Sequence, residues 1–227
     1  MKKLKILSLS IALSILSFNV SAAGKAHLDH ADTDIMDTAS LQNGAKLFMN
    51  YCSGCHAIGF MRYNRIGKDL GLSDELVAQN LMFAGEKTGE TITTAMPEDA
   101  AAKWFGGVPP DLSLVARSKG TDWIYTYLRS FYDDELRIFG VNNKVLTNVS
   151  MPDALWSLRE SQSEAEFDNS VRDITNFLDY VGEPAKLIRL QLGKWVLLFL
   201  GILFVLVYLL KKEYWKDVKY GIWRPRD

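Results

Sequence analysis

Cysteine and histidine, the residues that most often carry metal and redox chemistry, are scarce in this sequence, with two and three copies in 227 residues. Two cysteines cannot form the set of several disulfides that stabilises many small exported domains. They cannot hold zinc without two further ligands at suitable spacing, and outside the cysteine segment only His27 and His30 remain. The chemistry of the chain therefore depends on one segment, Cys52-Ser53-Gly54-Cys55-His56.

A strong net charge is also missing, because 26 lysines and arginines face 27 aspartates and glutamates. The charge is unevenly distributed, however. Residues 23–186 contain 15 lysines and arginines against 24 aspartates and glutamates, a net charge of −9. A domain with this charge repels nucleic acid and attracts basic partners. The sequence therefore argues against nucleic-acid binding, and it leaves two explanations for the excess of acid, recruitment of a basic partner or solubility alone.

The N-terminus has the parts of an export signal. Lysines at positions 2, 3 and 5 precede an apolar run from Ile6 to Val20, and small residues follow at Ser21 and Ala22. This pattern predicts a signal peptide over residues 1–22. A short first transmembrane helix is the alternative, but the apolar run is short and leads directly into the small residues that a signal peptidase needs.

A second apolar run, from Trp195 to Leu210, predicts one membrane anchor near the C-terminus. These residues carry no charge and make about 24 Å of helix, less than a bilayer core. Lys194 and Lys211 are therefore expected to extend toward the two interfaces. The predicted organisation, in the inner membrane of a bacterium, is a periplasmic domain at 23–186, an anchor at 187–212 and a basic cytoplasmic tail at 213–227.

The segment Cys-x-x-Cys-His is the signature of covalent haem attachment. The spacing of Cys52 and Cys55 lets both thiols reach one edge of the porphyrin, and His56 then lies beneath the iron as the first axial ligand. A redox-active dithiol is the alternative, but it usually precedes a helix within a βαβ unit, and no such unit is apparent. The segment predicts one covalently bound haem c and one-electron transfer outside the cytoplasm.

Helices are predicted at both ends of the exported domain. Apolar residues from Leu41 to Cys52 recur at helical spacing, with Ser40 as a plausible cap, so a helix should run into the haem segment. Gly44, one turn before an aromatic residue, lets a second helix approach closely. That partner is expected at 164–181, behind a capping box. The predicted fold is mainly α, a c-type cytochrome domain with long loops around one haem, followed by a single C-terminal transmembrane helix.

The second axial ligand is expected to be a methionine on a loop. Methionines near the haem segment, and Met82 in a predicted helix at 73–85, suit this role poorly. Two remain, Met96 and Met151, and each precedes a proline that restrains the loop backbone. Met151 is favoured because it lies 95 residues after His56, just before the last helix, and Met96 is the alternative. Two protein ligands leave no iron position for oxygen, which favours electron transfer over catalysis.

Three segments after the haem motif carry a family resemblance. They are Phe-Met-Arg-Tyr-Asn-Arg at 60–65, Gly-Val-Pro-Pro-Asp-Leu-Ser at 107–113 with Arg117 shortly after, and Asp-Trp-Ile-Tyr-Thr-Tyr-Leu at 122–128. Together with the single anchor and its basic tail, they resemble cytochrome c1 of proteobacteria, the haem subunit of the cytochrome bc1 complex. The resemblance covers nearly the whole mature chain.

The resemblance implies roles for several residues. Arg117 would pair with a haem propionate, a task suited to a permanently charged fork. Pro109 and Pro110 would form a rigid wall beside the haem, and Tyr63 would pack near it. Met151 would be the axial ligand, although the family more often has Met-Ala-Pro-Pro where this chain has Met-Pro-Asp. Each residue also has an ordinary explanation, as a surface arginine, a turn, a core tyrosine or a core methionine.

The resemblance also implies partners. A Rieske iron–sulfur protein would deliver one electron to this subunit, which would pass it to a soluble or membrane-bound cytochrome c. Cytochrome b would lie beside the anchor, in a dimeric complex. The chain would not be a catalyst alone but the redox subunit of a quinol–cytochrome c reductase. Asp133, Asp134 and Glu135 would either form a docking patch for a basic partner or belong to a solvated loop.

Two other interpretations stay open. Another membrane-tethered monohaem cytochrome, such as an oxidase subunit or a free-standing carrier, would have the same haem site without the Pro-Pro-Asp-Leu-Ser stretch. A haem sensor or peroxidase would need an open iron position. Carbon monoxide binding to the reduced protein distinguishes an open site from an iron with two protein ligands.

Overall fold

The structure is a computed structural model that describes residues 27–221. Its helices are α1 (Thr38–Tyr51), α2 (Tyr63–Leu70), α3 (Asp74–Asn80), α4 (Glu98–Phe105), α5 (Val115–Lys119), α6 (Thr121–Arg129), α7 (Trp156–Ser161), α8 (Glu164–Gly182) and α9 (Lys186–Tyr220). The expected mainly α fold is confirmed. The predicted signal peptide, residues 1–22, and the last residues of the predicted tail lie outside the described residues.

Two short antiparallel strand pairs restrain the loops between helices. Strand β1 (Ile58–Arg62) pairs with β2 (Thr91–Ile92) directly after the haem segment. Strand β3 (Phe131–Asp133) pairs with β4 (Val141–Asn143) before the loop that holds Met151. Both pairs therefore stabilise segments that adjoin the candidate ligands.

The centre of the domain is the crossing of α1 and α8. A β-carbon added to Gly44 would lie only 2.0 Å from the carbonyl oxygen of Asp173, so the two backbones are in direct contact there. One turn along each helix, the buried rings of Phe48 and Phe177 pack with their centroids 5.6 Å apart. The predicted close approach at Gly44 is confirmed. Because α1 leads into the haem segment, this crossing also fixes where that segment begins.

A buried carboxylate joins the same two helices. Asp173 accepts hydrogen bonds from the hydroxyl of Ser40 at 2.7 Å and from the side-chain amide of Asn43 at 2.8 Å, which compensate the burial of its charge. The expectation that Ser40 caps α1 is wrong. Asp37 is the cap and accepts from the amide of Ser40 at 3.1 Å, while the Ser40 hydroxyl points into the helix interface.

Helix α8 begins as predicted, with a reciprocal capping box. The amide of Ser163 donates to the carboxylate of Glu166 at 2.9 Å, and the amide of Glu166 donates to the Ser163 hydroxyl at 3.4 Å. The helix continues through Gly182. Its predicted apolar stripe is buried, namely Phe167, Val171, Ile174, Phe177, Leu178 and Val181.

The helix predicted at 73–85 is shorter in the structure. Helix α3 ends at Asn80, so Met82 lies in the following loop and packs against the core, and its predicted helical placement is wrong. Beyond the helix, Gly85 packs against Tyr63, and an added β-carbon there would lie 2.9 Å from the Tyr63 ring. The segment that local periodicity assigned to the helix thus makes a tertiary contact instead.

The anchor helix α9 projects from the domain with its apolar residues unburied. Among the described residues it is the one helix long and apolar enough to cross a membrane. It extends beyond the predicted boundary at residue 212, as far as Tyr220. Two ion pairs connect its first turn to the end of α8, Lys186 with Asp179 at 3.0 Å and Arg189 with Glu183 at 2.9 Å.

Candidate haem site

The end of α1 folds the haem segment into a compact turn. The amide of Cys52 still donates to the carbonyl of Phe48 at 2.8 Å, as the last bond of the helix. The amides of Cys55 and His56 then donate back to the carbonyl of Cys52 at 3.0 and 2.9 Å. No disulfide joins Cys52 to Cys55. One short, locally determined segment therefore supplies two sulfurs and an imidazole.

The imidazole of His56 is oriented by the backbone of a distant segment. Its Nδ1 lies 2.7 Å from the carbonyl oxygen of Pro110. A carbonyl can only accept, so Nδ1 carries the proton and Nε2 keeps its lone pair free for a metal. Burial lowers the pKa of His56, against the opposing effects of the Pro110 hydrogen bond and Asp111. The ring is thus kept in the neutral form that binds iron.

Asp111 holds the Pro110 segment against β1. One of its carboxylate oxygens accepts from the amide of Gly59 at 2.8 Å, and the other accepts from the amide of Ser113 at 2.7 Å. The backbone bond from Leu112 to Ala57, at 2.8 Å, adds to this attachment. The sequence-based prediction missed the positioning role of Asp111, although the residue lies within the Pro-Pro-Asp-Leu-Ser stretch.

A cavity of about 460 Å³ lies beside the haem segment. Cys55, Pro109 and Pro110 line it, together with Met96. The structure therefore brings the two predicted wall prolines next to Cys55, one of the two cysteines predicted to attach the haem. It also places Met96, the alternative second ligand, on the side of the segment where Pro110 engages His56 Nδ1.

Met151 lies on the loop that precedes α7, half-buried against the core. The hydroxyl of Tyr127 lies 3.4 Å from its sulfur and is placed to donate a hydrogen bond to it. Tyr127 is itself held by aromatic neighbours, stacked on Trp123 at 4.9 Å and edge-on to Phe131 at 5.3 Å. The sequence-based prediction did not single out Tyr127, although it lies one helical turn after Trp123 on the aromatic helix.

The Met151 loop is held on its C-terminal side by Asp153. This buried carboxylate accepts from the amide of Leu155 at 3.2 Å and forms an ion pair with Arg159. Leu155 is buried beneath it. The position of Met151 therefore depends on contacts with α6 and with the start of α7.

Arg117 and Tyr63, the other two residues predicted to lie near the haem, do not line the cavity beside Cys55. Arg117 lies on α5 with 57% of its side chain exposed and forms an ion pair with Glu183 at 3.2 Å, a partner that the sequence did not indicate. Tyr63 begins α2 and is buried. Burial, and then the charge of Glu90, raise the pKa of its hydroxyl. Asp133, Asp134 and Glu135 lie together on the hairpin between β3 and β4.

The thiols are poorly suited to act as a redox dithiol. Burial, and then the charge of Cys55, raise the pKa of the Cys52 thiol to about 12, and burial also raises that of Cys55. A reactive dithiol needs the opposite, a lowered thiol pKa that supplies a thiolate. Within residues 27–221, moreover, no three His, Cys, Asp or Glu side chains group into a metal site.

A helical domain, a helix-terminal Cys-x-x-Cys-His turn with an oriented neutral imidazole, and one apolar anchor helix define the class of membrane-anchored haem proteins of electron transport. Comparison with known proteins identifies the family, because residues 30–218 match the model of the Cytochrome C1 family. The chain therefore belongs to the cytochrome c1 family, which supplies the haem subunit of the cytochrome bc1 complex.

Individual relatives agree with this assignment along most of the chain. The chain is 50% identical to cytochrome c1 of Allochromatium vinosum over 226 aligned positions, gaps included, and the match covers 88% of this chain and 93% of the relative. It is 29% identical over 228 residues to cytochrome c1 of Rhodospirillum rubrum, covering 81% and 84% of the two chains. It is also 42% identical, over 236 aligned positions with gaps included, to a protein named the ammonia monooxygenase gamma subunit of Nitrosomonas europaea, and the match covers 96% of this chain and 100% of that relative.

Proposed function

We propose that this cytochrome c1 holds one haem c, covalently attached through Cys52 and Cys55, with His56 and Met151 as the axial ligands of its iron. The observation that best supports the site is the 2.7 Å hydrogen bond between His56 Nδ1 and the carbonyl of Pro110, since it leaves Nε2 free to bind metal. The donor set fits the cofactor: two thiols and a neutral imidazole in one turn, with a thioether on a restrained loop.

When bound, the haem supplies a one-electron couple whose potential depends on its ligands, its burial and nearby hydrogen bonds. The chain's residues set those conditions. The Met151 thioether favours reduced iron more than a second imidazole would. The Tyr127 hydroxyl, 3.4 Å from the Met151 sulfur, draws electron density from it and strengthens that preference. Pro109 and Pro110 restrict access of water beside Cys55.

We assign Arg117 to a haem propionate and Tyr63 to the haem surroundings. The guanidinium of Arg117 uses one nitrogen for Glu183 at 3.2 Å, and its remaining N–H groups can reach a carboxylate without losing that partner. Glu183 would then position Arg117 from the end of α8. Tyr63, buried at the start of α2, would contribute rigid apolar surface.

In the proposed complex, a Rieske iron–sulfur protein delivers one electron to this subunit, which passes it to a cytochrome c. Residues 23–186 lie in the periplasm, the anchor at 187–212 packs beside cytochrome b within a dimeric complex, and 213–227 lie in the cytoplasm. The unburied apolar surface of α9 supports the anchor, and the predicted signal peptide at 1–22 supports the orientation.

Carbon monoxide binding tests the axial ligands. In reduced full-length protein in mild detergent, Met151→Leu should open the iron and bind carbon monoxide rapidly, whereas wild type and the matched variant Met96→Leu should not. Rapid binding by Met96→Leu alone would reassign the ligand to Met96. Rapid binding by the wild-type protein would instead favour the sensor or peroxidase interpretation.

Co-purification tests the assembly. Solubilised in mild detergent, the chain should migrate with a cytochrome b and a Rieske protein. Subunits of an ammonia monooxygenase in their place would indicate the activity for which the Nitrosomonas europaea relative is named. A chain that migrates with neither set would be a free-standing tethered carrier.

The acidic hairpin residues can be tested separately, by the ionic-strength dependence of turnover. If Asp133, Asp134 and Glu135 recruit a basic cytochrome c, turnover with that carrier should weaken as salt rises. Neutralising all three as the amides should flatten the salt dependence. A flat profile for the wild-type complex would rule out electrostatic docking.

A further inference from the structure

We propose that the tip of the β3–β4 hairpin is the apolar centre of a docking surface for a basic, soluble electron carrier, with Leu136 and Ile138 as its contacts. This inference depends on the proposed function, because it assumes an acceptor that takes electrons from this chain. Leu136 is 95% exposed and Ile138 is 87% exposed. Two large aliphatic side chains so fully exposed on one tip form the kind of apolar patch that marks an interaction site.

The tip is a folded structure rather than an open loop. The amide of Asp134 donates to the carbonyl of Gly140 at 2.8 Å, which closes the hairpin. Two consecutive turns lie inside the hairpin. The amide of Arg137 donates to the carbonyl of Asp134 and the amide of Gly140 donates to the carbonyl of Arg137, both at 3.0 Å. A preorganised tip loses little conformational entropy when a partner binds. The exposed pair is therefore presented in a fixed geometry.

Alternate residues attach the tip to the domain. The side chain of Arg137 turns inward and donates to the side chain of Asn148 at 3.2 Å and to the carbonyl of Val149 at 3.4 Å. The ring of Phe139 packs against that of Phe105, with centroids 5.4 Å apart. The residues that alternate with these two attachments, Leu136 and Ile138, face solvent.

The attachments place the tip close to the proposed haem. Val149, which binds Arg137, lies two residues before Met151. Phe105 ends helix α4, and Ala101 of that helix lines the cavity beside Cys55. A carrier seated on the tip would thus contact the segments that surround both the attachment cysteines and the proposed sulfur ligand.

The charge around the tip selects the partner. Asp133 and Glu135 are exposed beside the apolar pair, in a domain whose net charge over residues 23–186 is −9. Arg137, the cation of the hairpin, points inward and donates to Asn148, so its charge does not offset the acidic residues on the outer side. An apolar centre with an acidic rim complements a carrier that has a ring of lysines around an apolar patch. A second copy of this acidic chain, or an anionic lipid surface, would be repelled.

The test measures reduction of a basic mitochondrial-type cytochrome c by the purified complex. Leu136→Ser combined with Ile138→Ser should raise KM for that cytochrome about tenfold, which corresponds to about 1.4 kcal/mol. The KM ratio to wild type should be equal at low and high salt, because the lost contact is apolar. Asp133→Asn combined with Glu135→Gln should instead flatten the salt dependence. Leu76→Ser, an equivalent change at an exposed leucine of α3, is the control and should leave KM unchanged.

A second variant keeps the test informative if the double variant folds poorly. Leu136→Lys should raise KM further than Leu136→Glu, since a lysine repels a basic carrier and a glutamate attracts it. Haem content and the rate of haem reduction by quinol should stay at wild-type values in every variant. Unchanged KM, or equal effects of Lys and Glu, would overturn the docking surface while leaving the proposed function intact.

Two other outcomes would also contradict the proposal. If the Leu136 and Ile138 variants slowed reduction of the haem by quinol, the tip would be a contact for the electron donor. If they lost other subunits of the complex, the tip would be an assembly contact. By contrast, failure of quinol to reduce the wild-type haem would contradict the proposed function itself.

Discussion

Gly44→Ala should strongly destabilise the haem domain, although alanine is the better helix former. Gly44 lies where α1 crosses α8, and an added β-carbon would be 2.0 Å from the carbonyl oxygen of Asp173 and 2.8 Å from the β-carbon of Phe177. Ordinary contact begins at 3.4 Å, so the backbones would have to separate by about 1.4 Å at this point. The neighbouring atoms on α8 are backbone and β-carbon atoms, which cannot rotate away.

The size of the effect follows from opposing terms. The intrinsic preference for alanine in a helix favours the variant by about 1 kcal/mol. Overpacking of a close interface costs about 1–3 kcal/mol. Separation of the helices would also stretch the bonds from Ser40 and Asn43 to the Asp173 carboxylate, now 2.7 and 2.8 Å long, and loss of one such bond costs about 1.5–3 kcal/mol. The expected net loss is about 3 kcal/mol, a large part of the ~5–15 kcal/mol stability of a domain.

The assay is thermal unfolding of the full-length protein in mild detergent, followed by circular dichroism, together with the yield of haem-containing protein in membranes. Both the unfolding midpoint and the yield should fall for Gly44→Ala. Gly89→Ala is the matched control, because an added β-carbon there meets nothing within 4 Å and the glycine has an ordinary backbone conformation. A midpoint for Gly44→Ala equal to or above that of wild type would refute the close helix crossing.

Three further substitutions test side-chain contacts. Tyr127→Phe should lower the reduction potential of the haem, measured by spectroelectrochemistry, because it removes the hydrogen bond to the Met151 sulfur; an unchanged potential would show that the bond does not affect the iron. Ser163→Ala should cost about 1 kcal/mol in thermal unfolding, as the loss of a helix cap does. Glu183→Gln should change stability by less than about 1 kcal/mol, since its pairs with Arg117 and Arg189 are partly exposed, and a larger loss would show a structural role beyond those two pairs.

Local sequence patterns predicted the parts of the fold that local physics determines. The helix leading to Cys52, the capping box at Ser163 and the apolar anchor each follow from periodicity, caps or composition within a few turns of chain. A close helix approach was also predicted, because residues 43–48 place a small and an aromatic residue one turn apart, and Gly44 lies at that contact. Family membership was indicated by the Pro-Pro-Asp-Leu-Ser stretch and confirmed by comparison.

The errors arose where a distant residue decides the local structure. Ser40 satisfies every local rule for a helix cap, yet the carboxylate of Asp173, far along the chain, draws its hydroxyl into the interface and leaves the cap to Asp37. Periodicity around Met82 suggested a longer helix, but the helix ends at Asn80 and the chain beyond it packs against Tyr63 instead. No pattern within a window of sequence contains either partner.

The candidate site shows the same division between local and distant information. The motif from Cys52 to His56 identifies the ligand atoms but not the direction of the imidazole, which depends on the carbonyl of Pro110, 54 residues away. Asp111 holds that carbonyl in place by bonding to β1. In the proposed site, the haem motif specifies which residue would meet the iron, whereas the Pro-Pro-Asp-Leu-Ser stretch specifies which of its nitrogens would do so. The two segments would then act together, because one supplies the ligand and the other fixes its orientation.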